Sequence, residues 1–155
     1  MKIALAADEP YAVHDTIAAE LTRRGHLVER FGAIATGNDA SWVTTARAAA
    51  TAIVDGDCDE GIFLCWTGTG IAMAANKIFG IRAALCGDPG TAAGARVWNH
   101  ANVLCLSNRT LSPDMALEIL AAWFDTDPGD KGIAGVRELE SLDTSTRSLG
   151  VAPPT

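Results

Sequence analysis

Positive charge is scarce in this chain and nowhere clustered. Lys and Arg number 12 against 19 Asp and Glu, giving a net charge of −7. No basic run offers itself to a phosphate backbone or an anionic bilayer, so nucleic acid and membrane surfaces are not expected partners. No apolar run approaches the roughly 20 residues of a membrane span, and the N-terminus enters a strand pattern without the basic stretch, apolar core and cleavage site of a secretory signal. The cytoplasm is the expected compartment. Cys58, Cys65, Cys86 and Cys105 show neither a CxxC spacing nor a paired histidine, which argues against a zinc site or a redox pair. They are expected to be free thiols, most of them small buried hydrophobes.

What is present is the composition of an ordinary globular protein, with 48% hydrophobic and 20% charged residues. A chain of 155 residues suits one domain. Strand-length apolar runs occur at Ile3–Ala6, Leu27–Phe31, Gly61–Cys65, Ile81–Leu85 and Val103–Leu106. Ala-rich helical stretches follow them near 11–24, 42–55, 70–78, 90–98 and 113–124. Such βα alternation predicts an α/β protein: a three-layer α/β/α, Rossmann-like domain on a parallel five-stranded sheet. Gly25 after Arg23-Arg24 reads as a helix stop, and Ser112-Pro113-Asp114 as a helix start. One domain is expected over 1–142, its residues 131–142 forming a C-terminal helical extension from Ile133 to Leu142, with 143–155 a frayed tail.

Ligands of an open parallel sheet bind beyond the carboxyl ends of its strands. Strand 1 ends in Asp8-Glu9, and strand 3 in Cys65-Trp66-Thr67-Gly68-Thr69-Gly70. Small residues at Gly68 and Gly70 let successive amides converge on an anion at the start of a helix, either a phosphate or a developing oxyanion. The pattern is not the dinucleotide-binding one, since Met73 stands where a third glycine is needed. Cys65, directly before this nest, pairs a possible base or nucleophile with oxyanion donors, an arrangement that suits proton abstraction beside a carbonyl and acyl transfer equally.

The run from Cys65 through Thr67-Gly68-Thr69-Gly70 to Ala74-Ala75-Asn76-Lys77 resembles the signature of the ribose-5-phosphate isomerase B and galactose-6-phosphate isomerase family. Gly80-Ile81-Arg82-Ala83-Ala84-Leu85-Cys86, Ala95-Arg96 and Ala101-Asn102-Val103-Leu104 continue it in order. The resemblance implies an aldose–ketose isomerase acting on a sugar or sugar phosphate through a cis-enediolate. It implies a homodimer, or a tetramer built from one, with shared active sites, and neither metal nor organic cofactor. By the same resemblance Cys65 is the base between C1 and C2, and Thr67 with the amides of Gly68, Thr69 and Gly70 holds the enediolate oxygens. Asp8 contacts substrate, and Asn99 and Arg109 reach the site of the neighbouring subunit.

Four departures from the family pattern bear on the substrate. Glu9 replaces a histidine, and a carboxylate there repels a phosphate by about 1 to 4 kcal/mol at 4 Å. Trp98 replaces the ring-opening histidine, which leaves two alternatives: the step is not needed, or His100, two places on, takes it over. Ser41-Trp42-Val43 replaces an Asp-Tyr-Pro segment, and a pair of arginines aligns with Lys131 and Gly135, leaving Arg137 out of register. The expected substrate therefore differs from ribose 5-phosphate: an open-chain compound, such as a four-carbon sugar phosphorylated at C4, or an unphosphorylated sugar. Trp66 and Trp98, with Trp42, are expected to line the pocket against the C–H faces of a sugar. His14 and His26 are expected at the surface. Two other functions compete: a hydrolase with Cys65 as nucleophile, and an inactive sugar-binding paralogue or inactive half of a mixed dimer.

Overall fold

A computed structural model describes residues 1–148, with side chains through 142. Five strands, β1 (Lys2–Ala7), β2 (Leu27–Gly32), β3 (Glu60–Cys65), β4 (Ala83–Leu85) and β5 (Val103–Ser107), pair in parallel in the order β2-β1-β3-β5-β4. The helices are α1 (Val13–Arg23), α2 (Ala33–Thr36), α3 (Trp42–Val54), α4 (Thr69–Ala75), α5 (Pro89–Asn99), α6 (Pro113–Asp125) and α7 (Ile133–Ser148). The expected three-layer α/β/α architecture is the observed one.

Strand alternation sorts the core into two layers. Ile3, Leu5, Ile62, Leu64, Leu104 and Leu106 face α1, α5 and α6, where the fully buried Trp123 closes the layer. Ala4, Ala6, Phe63, Cys65, Val103 and Cys105 face α3 and α4. Alanines at 46, 49 and 50 on α3 meet Ala4 and Ala6 there, so small side chains on both partners bring that helix close to the sheet. Each large aliphatic side chain so enclosed contributes about 1.5–3 kcal/mol.

Local signals act as read. Asp88 and Ser112 cap α5 and α6 by accepting from the amides of Thr91 and Met115, each followed by proline at the first helical position. After α1 the His26 amide returns to the Leu21 carbonyl around Gly25, whose φ is 80°.

Three expectations change. β4 spans 83–85 and not 81–85, because Arg82 is held by a side chain: its amide donates to Asn102 Oδ1 at 2.8 Å. The single-turn helix α2 was not foreseen. The helix expected over 133–142 runs on through Ser148, into the stretch read as a frayed tail; residues 149–155 of that stretch lie outside the described residues.

The order of strands places a switch point between β1 and β3. The chain leaves β1 toward β2 on one side and leaves β3 toward β4 on the other, and the crevice at their carboxyl ends is where such sheets take ligands.

Candidate active site

β1 and β3 end together: Ala7 pairs with Leu64, which sets Asp8 beside Cys65. On the other flank Cys65 pairs with Ser107, and the Asn108 amide donates to the Cys65 carbonyl at 2.9 Å. The Arg109 amide donates to the Trp66 carbonyl at 3.0 Å, and Ser107 Oγ donates to that same oxygen at 2.9 Å. Cys65 is thus gripped from both sides, and its side chain is 5% exposed on the α3–α4 face.

The nest follows. Gly68 takes φ 76°, and a Cβ there would lie 2.5 Å from Leu85 Cδ1 and 2.9 Å from the Leu106 carbonyl, so only glycine fits. No side chain caps α4. The amides of Thr69, Gly70 and Ile71, which a helix start leaves without intrahelical partners, follow the left-handed turn at Gly68. Thr67 and Thr69 share a 2.6 Å hydrogen bond between their hydroxyls. Trp42 packs over the nest, its ring 3.3 Å from where a Gly70 Cβ would stand.

Asp8 is buried, and its Oδ1 has no hydrogen-bond partner. Burial, with the charges of Glu9 and Asp39 nearby, pushes its carboxyl above the usual range, although backbone amides oppose this. Glu9 does not hang free in solvent, since Tyr11 Oη donates to its Oε2 at 3.1 Å. The Tyr11 ring lies 6.4 Å from that of Trp66, forming an aromatic wall beside the carboxylate.

The remaining cysteines lack this setting. Burial pushes Cys58 and Cys86 up to about 11, and Cys105 well above the ordinary thiol range. Among the described residues no group of three or more His, Cys, Asp and Glu side chains is placed to hold a metal ion, and no helix is long and apolar enough to cross a membrane.

Trp98, Asn99, His100 and Lys131 form a second cluster. Because α5 runs antiparallel to the strands, it ends near their amino ends, whereas Cys65 stands at a carboxyl end, about 13 Å away along the strand. The single chain does not bring Trp66 and Trp98 into one pocket. Trp66 stands with Tyr11, whereas Trp98 lies under Lys131, whose Nζ is 5.9 Å from the ring centroid. His100 caps α5 in the left-handed region at φ 45°, and its Nε2 lies 2.6 Å from the Lys131 carbonyl. Gly132 follows with φ 76°, and a Cβ there would overlap the Trp98 carbonyl oxygen. A groove of about 380 Å³ beside this cluster is lined by Asn76, Arg82, Asn99 and Glu140. Arg109 belongs to the Cys65 end, its side chain exposed.

His14 is not at the surface as expected. It is 4% exposed, with Nε2 2.8 Å from Asn108 Oδ1. The signal was its spacing, since positions 14, 18 and 21 share one face of α1 with Ala18 and Leu21 buried. His26 is half-buried, its ring 4.6 Å from that of Phe124.

Residues 3–139 match the sequence profile described as Ribose/Galactose Isomerase. A D-erythrulose-4-phosphate isomerase from Pectobacterium atrosepticum is 38% identical over 128 residues, 82% of this chain and 84% of that protein. Ribose-5-P isomerase B from Listeria innocua is 33% identical over 149 residues, 95% of this chain and 100% of that protein. The structure of Clostridium thermocellum Ribose-5-Phosphate Isomerase B superposes with a TM-score of 0.86 at 33% identity, covering 94% of this chain and 99% of that one.

Proposed function

This chain belongs to the Ribose/Galactose Isomerase family of aldose–ketose isomerases, and from that premise we propose that it isomerises an open-chain sugar phosphate, with Cys65 moving the proton. The observation that carries the reading is the meeting of Asp8, Cys65 and the Gly68–Gly70 nest at the carboxyl ends of two adjacent strands.

In the forward direction Cys65, as its thiolate, takes the proton from C2 of the aldose. The electron pair moves into the C1–C2 bond and onto O1, giving a cis-enediolate. Amides of the nest and the Thr67 hydroxyl donate to the developing oxyanion. The thiol returns the proton to C1 while the O2 proton passes to O1, leaving a ketone at C2 and a hydroxyl at C1. Asp8, a buried acceptor, receives a substrate hydroxyl.

The substrate class rests on the second cluster. Trp98 supplies no proton donor at the position of a ring-opening histidine, and His100 spends its Nε2 on the Lys131 carbonyl. A four-carbon sugar phosphorylated at C4 cannot close a furanose through its terminal oxygen, so it needs no such group. The likeness to a D-erythrulose-4-phosphate isomerase supports this choice. Two copies of the chain are required, because Trp98 and Asn99 serve a site only by reaching that of a neighbour. The cytoplasm, where phosphorylated sugars are made and held, is the proposed compartment.

The test is kcat/KM across tetrose 4-phosphates, ribose 5-phosphate and free pentoses and hexoses. Erythrulose 4-phosphate should lead; ribose 5-phosphate leading by about tenfold or more would overturn the substrate assignment.

A further inference from the structure

His14 sits on the buried stripe of α1 and makes two directed contacts. The Tyr11 amide donates to Nδ1 at 3.4 Å, and Nε2 lies 2.8 Å from Asn108 Oδ1. An amide oxygen only accepts, so the ring proton is on Nε2 and Nδ1 is bare: the neutral tautomer. Burial, which lowers the imidazole pKa, favours the same form.

Asn108 in turn is 7% exposed, and its Nδ2 has no partner. Its backbone amide holds the Cys65 carbonyl, and the next amide holds that of Trp66. At the other end of this relay the Tyr11 hydroxyl holds Glu9. The chain of contacts Glu9–Tyr11–His14–Asn108 therefore ties the loop after β1, which carries Asp8, to the loop after β5, which carries Arg109. It does so around Cys65. Removing His14 would leave the Asn108 amide without a partner at either end in a buried place, a state that side chains leave by moving.

We infer that His14 and Asn108 are positioning residues for the proton transfer, holding the Cys65–Trp66 strand end in register with Asp8. The inference rests on Cys65 being the base. His14→Leu removes the hydrogen bond, whereas His14→Gln keeps a donor for Asn108.

Steady-state kinetics on D-erythrulose 4-phosphate are combined with the rate of Cys65 alkylation by iodoacetamide, followed by peptide mass spectrometry, and with thermal unfolding. His14→Leu should lower kcat about tenfold or more with KM within about twofold, and His14→Gln should restore kcat to within about threefold of wild type. The double variant with Asn108→Ala should be no worse than the weaker single, because both act on one path. Cys65 alkylation should change about threefold or more in His14→Leu and return in His14→Gln. If His14→Leu fails to fold, Asn108→Ser, which removes the amide and leaves a small polar side chain, carries the same comparison. Wild-type kcat in folded His14→Leu, equal impairment of His14→Gln, or additive losses would overturn the inference. If the wild-type protein turns over no sugar, the proposed function fails. The alkylation rates then decide alone: a shift reversed by Gln supports the positioning role, and equal rates in all variants overturn it.

Discussion

The imidazole of His100 lies 2.6 Å from the carbonyl oxygen of Lys131, at the left-handed turn that ends α5. This contact ties the α5 terminus to the start of the segment leading into α7, and it engages one of the two ring nitrogens.

His100→Gly should retain about half or more of the turnover of an open-chain tetrose phosphate, because glycine accepts φ 45° freely and an open-chain substrate needs no ring opening. Thermal unfolding should shift by only a few degrees, the lost hydrogen bond being worth about 1 kcal/mol. A loss of about 100-fold in kcat would give the ring a chemical role after all.

Asp8 is held in the fold at a cost to stability. Its carboxyl titrates above the ordinary range because it is buried without a partner for Oδ1, so the ionised form opposes folding at every pH above the unfolded value near 3.8. Asp8→Asn should raise the unfolding temperature at pH 7 while lowering kcat/KM by about tenfold or more. The gain should shrink as the pH falls toward 4, where the wild-type carboxyl takes up its proton. Paired differential scanning calorimetry and kinetics read both effects.

Glu20 is the opposite case. The guanidinium groups of Arg23 and Arg24 hold its carboxyl at about 2, below the 4.5 of a free glutamate. A depressed carboxylate pKa stabilises the fold above the unfolded value and loses that contribution as the pH drops through the folded one. The unfolding temperature should fall between pH 4.5 and 2, and Glu20→Gln should flatten that slope. Since Arg23 is largely exposed, solvent limits the effect to about 1 kcal/mol.

Light scattering should report about twice 16.1 kDa. If the α5 terminus completes a neighbour's site, Cys65→Ala and Asn99→Ala should each be inactive alone. Mixed and re-equilibrated, they should recover about a quarter of wild-type activity, the fraction expected for randomly paired intact sites. No recovery, or a fully active monomer, would contradict the shared site.

Most of the fold was legible because alternation and helical periodicity rarely conflict in this chain. Ile3–Ala6 and Val103–Leu106 read as strands and are strands. The shortening of β4 was not legible, since it depends on side chains that come from elsewhere: Asn76 hydrogen-bonds both the amide and carbonyl of Ala83, and Asn102 holds Arg82 and Gly80. Both asparagines stood out as motif residues, and their visible work is to fasten an edge strand. At the site, the neighbourhood of Asp8, Cys65 and Gly68 followed from strand ends alone. The division between the Cys65 end and the Trp98 end did not, because it depends on helix direction within the folded layer. Asn108 carried no signal; only the contact with His14 gives it meaning.

The most direct measurement follows solvent deuterium into product. Wild-type protein with D-erythrulose 4-phosphate in heavy water should place deuterium at C1 or C2, read by NMR, as the base exchanges its proton with solvent in a share of turnovers. Cys65→Ala, folded by thermal unfolding, should reduce both exchange and turnover by about 100-fold or more. Retention of more than about a tenth of wild-type turnover in Cys65→Ala, or deuterium incorporation unchanged by that substitution, would contradict Cys65 as the proton-transferring base.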